Sequence, residues 1–234
     1  MLRSKNTNPV ISVIIPVLNE AEGINGLIYH HRDLEGGKDV EIVVVDGDPA
    51  GSTIKTIHDA GVVTAIGERG RSVQMNRGAA LAEGDILLFL HADTFLPQNA
   101  FTSVREAFQD EGYMAGCFDL GVGSARKIFR ITERSVALRT RITRIPFGDQ
   151  AIFIRREYFE RIGGYREFPI MEDMELMRRV RGRGDVICII PDKALTSARR
   201  WEQEGVLFNT FRNWMLQTLY CCGVSPKHLA RFYR

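Results

Sequence analysis

Four short, almost uninterrupted apolar runs constrain this chain more than any other feature. They are Val10–Val17 (VISVIIPV), Glu41–Val45 (EIVVV), Val62–Ile66 and Asp85–Leu90 (DILLFL), with helix-patterned segments at Ala21–Asp33 and Arg71–Glu83 among them. Strands this apolar must be buried on both faces, so the pattern predicts an α/β fold with a mostly parallel sheet and helices on both sides. Open sheets of this kind bind ligands beyond the carboxyl ends of their strands, which places the chemistry in the residues that follow each run. Those exits are polar here: Pro16-Val17-Leu18-Asn19-Glu20, Asp46-Gly47-Asp48 and His91-Ala92-Asp93. Carboxylates gathered along one sheet edge repel one another unless donors or a cation compensate them. Taken together the exits point to a cation–phosphate site, while Asp46 or Asp93 taken alone suits a turn or cap equally well.

The 234 residues, 44% of them hydrophobic, are enough for one compact core without a metal or disulfide to hold it. Lys+Arg 31 against Asp+Glu 29 leaves a net charge of +2, which gives no support to a general nucleic-acid binder. Cys117, Cys188, Cys221 and Cys222 form no CxxC pair and read as reduced thiols. Met1–Asn8 lacks the layout of a signal peptide, and Val206–Val224 is interrupted by Asn209, Arg212, Asn213 and Gln217. The expected location is cytoplasmic, with peripheral membrane contact left open.

The second half is less regular. Strands are predicted at Tyr113–Val122, Gln150–Ile154, Asp185–Ile190 and Ala194–Ser197. Helices are predicted at Ser124–Ile145, Glu172–Arg183 and Gln203–Cys222. The organisation expected is one domain over residues 1–202, with a helical extension at 203–234 packed on it. The arginine-rich Ser124–Ile145 helix suits a solvated face, a cover over the site or an anionic membrane surface. The apolar stripe of Leu207, Phe208, Phe211, Trp214, Met215, Leu219 and Cys222 suits packing on the parent domain, with a homodimer seam as the alternative.

Five segments in order then carry a resemblance. They are Ile14-Ile15-Pro16-Val17-Leu18-Asn19-Glu20, Val44-Val45-Asp46-Gly47, Asn76-Arg77-Gly78 with Ala82-Glu83-Gly84-Asp85, Leu88-Phe89-Leu90-His91-Ala92-Asp93, and Gly163-Gly164-Tyr165 followed by Met171-Glu172-Asp173. In these the chain resembles the family 2 glycosyltransferases, which have the GT-A fold. Gly70-Arg71 with Gln74-Met75-Asn76, Phe147–Phe153, Thr196–Glu202 and Gly223-Val224-Ser225-Pro226 are similar to one bacterial subgroup, described as radical-SAM-associated or as arsenosugar-biosynthesis glycosyltransferases.

The resemblance implies transfer of a sugar, with inversion, from a nucleotide-diphosphate sugar to the hydroxyl of a small-molecule or lipid-linked acceptor. It places Pro16, Asn19 and Glu20 beside the nucleoside and Asp46 on its base or ribose. Asp93 takes the position that holds Mg²⁺ or Mn²⁺ against the diphosphate, and Asp173 becomes the general base. Arg71 and Asn76, at a helix start, suit the diphosphate as an Arg fork and a helix N-terminus do. Asp149, Gln150 and Glu172 are expected at the acceptor pocket, with Arg199, Arg200 and Trp201 across from them. For Asp173 and Glu172 the plain alternative is a helix cap, and for Trp201 it is burial.

Two departures from the family pattern stand out. His91 replaces the first aspartate of the Asp-x-Asp element, and for that side chain a contact with the ribose or with a group that holds the metal is favoured over direct ligation. Asp48-Pro49 stands where Gly-Ser is usual, so the nucleobase loop takes another shape. The competing readings are a nucleotidyltransferase and a sugar-nucleotide-binding protein without activity. Against the first, and against a dinucleotide oxidoreductase, no glycine-rich loop follows the first strand.

Overall fold

A computed structural model describes residues 9–232; the side chains of Arg200 and Leu207 lie outside the described residues. The strands are β1 (Ile11–Val17), β2 (Glu41–Asp46), β3 (Val62–Ile66), β4 (Ile86–Phe89), β5 (Thr94–Phe95), β6 (Tyr113–Val122), β7 (Phe153–Arg155) and β8 (Val186–Thr196). The α-helices are α1 (Ile24–Asp33), α2 (Arg71–Leu81), α3 (Ala100–Ala107), α4 (Lys127–Thr143), α5 (Arg156–Arg161), α6 (Glu172–Gly182), α7 (Arg199–Glu204), α8 (Val206–Cys221) and α9 (Pro226–Leu229).

All eight strands form one sheet in the order β3-β2-β1-β4-β7-β6-β8-β5. The β3-β2-β1-β4 block is parallel, as the apolar runs predicted. β7 runs antiparallel to both its neighbours, β4 and β6, while β8 returns parallel to β6. The sheet is therefore mixed and mostly parallel.

Three of the four apolar runs, β1, β2 and β4, are buried on both sides because each feeds two cores; β3 instead forms the sheet edge and leaves Val63 and Ile66 exposed. Ile11, Val13, Ile15, Ile42, Val44, Ile86 and Leu88 face one core with α1 and α3. Ile14, Val43, Val45, Leu87 and Phe89 face the other with α2, α5 and α6. This is the period-two alternation of a pleated strand with no solvent face. Full burial of one such side chain stabilises the fold by about 1.5–3 kcal/mol. α2 lies close on the sheet because Gly78 has no side chain: a Cβ there would meet Ile14 Cγ2 at 2.5 Å.

Three expectations needed revision. The strands predicted at Asp185–Ile190 and Ala194–Ser197 are one strand, β8, with its register shifted between Phe118↔Ile190 and Asp119↔Lys193. Pro191 and Asp192 are the extra residues, and a bulge is where proline fits inside a strand. The helix predicted from Gln203 is two helices, because Gly205 adopts φ 87° and ends the first. The short β5 and α3 lay outside the predicted elements.

Topology sets where the site can be. β1, β2 and β4 end on one edge, β7 starts on it because it runs the other way, and β6 and β8 end there. β5 follows Asp93 directly and pairs Thr94 with Thr196, and the Ser197 N–H donates to the Asp93 carbonyl at 3.1 Å. That bond brings the segment after β8 against the exit of β4.

Candidate active site

Two adjoining cavities open on this edge and share Leu18 and Arg69. The first, about 790 Å³, is lined by Leu18, Asn19, Gly47, Asp48, Pro49, Ile66, Gly67, Glu68 and Arg69. The second, about 610 Å³, collects Pro16, Glu20, Arg71, His91, Asp93, Asp149, Glu172, Asp173 and Trp201. Nine of the residues singled out from sequence therefore share one cleft, and Asn19 stands on its neighbour.

Asp173 sits in the first turn of α6 and is 8% exposed. Its Oδ2 accepts the Gly148 N–H at 3.0 Å, whereas Oδ1 is buried without a hydrogen-bond partner. Burial, then the neighbouring Glu172 carboxylate, pushes its pKa up to about 8, against the opposing pull of Arg71. A carboxyl poised near neutrality with an uncommitted oxygen on a cleft can accept a proton. Glu172 is buried beside it and held by Arg71 Nη1 at 3.1 Å, an ion pair that joins the starts of α2 and α6.

His91 and Asp173 meet at Gly148. A Cβ on Gly148 would lie 2.6 Å from both His91 Nε2 and Asp173 Oδ2. Burial, with the Arg71 charge, pushes the His91 pKa down to about 3, so the ring is neutral at neutral pH. Its Nε2 is buried without a hydrogen-bond partner. Asp149 lines the cleft with Oδ1 likewise unpartnered, and burial raises its pKa despite the nearby Arg139 guanidinium. Burial also raises Glu20, which Arg199 opposes.

Asp93 is exposed on the cleft, with one long contact from Thr94 Oγ1 at 3.5 Å. Its charge contributes to raising both Glu20 and Asp149. Carboxylates that repel one another around an exposed oxygen pair fit a divalent cation, which one or two carboxylates hold together with phosphate oxygens. Among the described residues no group of three or more His, Cys, Asp or Glu could hold a metal without such help.

Four residues expected at the site line neither cavity in this structure: Asp46, Asn76, Gln150 and Arg199. Asp46 is fully buried and lines neither cavity. Its carboxylate accepts the N–H groups of Asp48, Thr53 and Ile54 at 2.9, 2.8 and 3.3 Å, so it folds the loop after β2. Asn76 faces away from the cleft: its amide donates to the Tyr165 carbonyl at 2.8 Å and accepts the Tyr165 N–H at 2.9 Å, clasping α2 to the Gly163-Gly164 turn. Gln150 is fully buried, accepting from Arg139, Thr140 and the Phe147 N–H and donating to Phe118 O. Arg199 is exposed and lines neither cavity, although its charge reaches Glu20. The side chain of Arg200 lies outside the described residues, and Trp201 divides itself between the cleft and an edge contact with Phe129.

Sequence reasoning missed other contributors. Gln74 donates to the carbonyls of Val17 and Val45, both at 2.8 Å, tying the exits of β1 and β2 to α2. Arg139 stacks 3.8 Å over Phe147 and holds Gln150, which braces the Gly148 turn from α4. Asn209, Asn213 and Gln217 line the cleft from α8. Their four-residue spacing on one helix face is the sequence signal that marks them, beside the apolar stripe of the same helix.

The family model described as "Glycosyl transferase family 2" matches residues 12–166. The chain belongs to glycosyltransferase family 2. It is 27% identical over 258 residues to the probable glycosyltransferase YdaM of Bacillus subtilis, covering 97% of this chain and 58% of that one. It is 34% identical over 182 residues to a PGL/p-HBAD biosynthesis glycosyltransferase of Mycobacterium bovis, covering 71% and 68% respectively. The fold is shared with the mannosyltransferase PcManGT of Pyrobaculum calidifontis, solved in complex with GDP-Man and Mn²⁺. That likeness has a TM-score of 0.61 at 21% identity and covers 81% of this chain and 56% of that one. This member of family 2 thus spans little more than half the length of some of its relatives. Asn209, Asn213, Gln217, Trp201 and Asp173 all lie beyond the span of the family match.

Proposed function

We propose that the chain transfers a glycosyl group from a nucleoside-diphosphate sugar to an acceptor hydroxyl, with inversion, using Asp173 as general base. The observation that carries this reading is the cleft that Asp173, with its uncommitted Oδ1, shares with Arg71 and the exposed Asp93. Family membership and the nucleotide sugar held by PcManGT support the donor class. In this reading the first cavity takes the nucleoside and the second takes the diphosphate, the sugar and the acceptor.

As the acceptor oxygen bonds to the anomeric carbon, its proton passes to Asp173. The bond from that carbon to phosphate breaks, and its electron pair leaves with the nucleoside diphosphate. Arg71, at the start of α2, meets the charge that develops there. Asp93 would hold Mg²⁺ or Mn²⁺, which when bound supplies Lewis-acid stabilisation of the leaving diphosphate. The neutral His91 orients rather than charges the site, keeping Asp173 and the Gly148 turn in register. Asp149, Glu172 and Trp201 border the acceptor.

The catalytic unit of this reading is residues 1–202, and the extension at 203–234 closes the cleft with its amide-bearing face. The narrower likeness, to the radical-SAM-associated or arsenosugar-biosynthesis glycosyltransferases, is part of the same reading. Its segments contribute Gly70, Arg71, Phe147, Gly148, Asp149, Thr196 and Trp201 to the cleft wall, which suits segments that select donor and acceptor. The test is release of nucleoside diphosphate from a panel of sugar nucleotides with Mn²⁺ or Mg²⁺. Release that disappears in Asp93→Ala is expected; release indifferent to Asp93, or none with any donor, would overturn the reading.

A further inference from the structure

The outward face of α4 has an unusual composition. Lys127, Ile131, Arg134, Ser135, Leu138, Arg141 and Ile142 recur at helical spacing and are all exposed. Ile131, Leu138 and Ile142 expose 64%, 61% and 70% of their surface. The one acid on this helix, Glu133, is turned inward, paired with Arg130 at 2.8 Å and with Lys193 at 2.7 Å. Arg141 reaches back to the largely buried Asp119 in a bidentate pair at 2.8 and 2.7 Å. Arg126 and Arg144 flank the helix and are exposed too. A solvated helix face mixes charges of both signs and hides its large aliphatics; this one interleaves aliphatics with bases and carries no acid.

A second set of exposed apolar groups lies on α8. α8 leaves Phe208, Phe211, Trp214 and Met215 outside the core. Its first residue, Val206, packs with Phe129, Ile128 and Val136 of α4 in one apolar cluster. The inner face of α4 is tied to the site through Arg139 and Thr140, which hold Gln150 beside Gly148.

We infer that the outer face of α4 docks the protein on an anionic lipid surface. Aliphatic side chains enter the boundary between headgroups and acyl chains while Lys and Arg stems lie along it, their charges among lipid phosphates. Charge complementarity selects this occupant over a second copy of the chain, since a two-fold contact through α4 would set bases against bases. Docking does not depend on the glycosyl-transfer reading. Where both hold, the cleft works at a membrane surface, braced through Gln150 on the helix that touches it.

The test is flotation of the full chain with vesicles of phosphatidylcholine alone and of phosphatidylcholine mixed with phosphatidylglycerol. Binding to the mixed vesicles is expected, weakening as salt is raised. The double variant Leu138→Glu with Ile142→Glu should lose roughly tenfold or more in partition, from two lost apolar anchors and two added negative charges. Its circular dichroism and its hydrolysis of nucleotide sugars should stay unchanged, because neither side chain is buried. Arg134→Glu should lower binding and flatten its salt dependence. Absence of binding to mixed vesicles at low salt, or equal binding by the double variant, would overturn the inference. So would a concentration-dependent dimer that the double variant disperses.

Discussion

The Gly148 N–H donates to Asp173 Oδ2 at 3.0 Å, and the bare Cα of Gly148 is what lets the carboxylate come that close. A loop between α4 and β7 thereby fixes one oxygen of the proposed base and leaves the other facing the cleft.

Gly148→Ala should therefore be severe in function. The new Cβ would lie 2.6 Å from both Asp173 Oδ2 and His91 Nε2, so at least one must move. Overpacking of this kind costs about 1–3 kcal/mol of stability. A displacement on the order of 1 Å at a reacting group costs about a hundredfold in rate. Turnover and thermal melting of the variant check both; normal turnover would mean that Asp173 is not held for catalysis by this contact.

Stability should respond to pH through Asp173. Its folded pKa is raised to about 8, while an unfolded aspartate titrates near 3.9. Between those values the folded chain holds a proton that the unfolded chain has released. The Asp173 contribution is therefore full below about pH 4 and declines as pH rises toward 8. Asp173→Asn removes that decline, and it should stabilise the protein by about 1–3 kcal/mol at pH 8 and by little at pH 4. Calorimetric melts of both proteins across this range decide it; equal differences at the two ends would contradict the burial of an ionisable Asp173.

Arg71 and Asn76, neighbours on α2, should separate cleanly. Asn76→Ala breaks both hydrogen bonds to Tyr165 and should cost about 1–3 kcal/mol of stability while nucleotide affinity holds. Arg71→Ala should weaken nucleoside-diphosphate binding by about tenfold or more, as loss of a charge-assisted contact does. Isothermal titration with UDP and GDP in the presence of Mn²⁺ reads the difference. Reduced affinity in Asn76→Ala at a temperature where it stays folded would return that residue to the binding site.

The contrast between those two residues also marks what could be read from the chain alone. β1, β2 and β4 were legible because strands buried on both faces admit little but apolar residues, β3 was legible although it is an exposed edge strand, and β6 was bounded correctly by its glycine-rich exit. Asp93 and Arg71 were legible as strand-end and helix-start positions on an edge that topology makes common to them, whereas Asp173 was singled out only by the family resemblance. Asp46, Asn76 and Gln150 were not, although they are polar and stand at comparable places. Asp46 and Asn76 spend their side chains on backbone groups, and Gln150 divides its own between backbone and the side chains of Arg139 and Thr140; those partners come within reach only once the loops are folded. Gln74 is the converse: an ordinary helix residue in sequence, and in three dimensions the clamp on two strand exits. The split of the last long helix was written in Gly205, but glycine alone does not announce a positive φ.

The central claim, that Asp173 removes the acceptor proton, is tested most directly by measuring turnover and nucleotide binding side by side in Asp173→Asn. Loss of a general base predicts a fall in kcat of about 10²–10⁴-fold, with the nucleoside-diphosphate dissociation constant unchanged. Retained turnover, or affinity falling in step with rate, would contradict it.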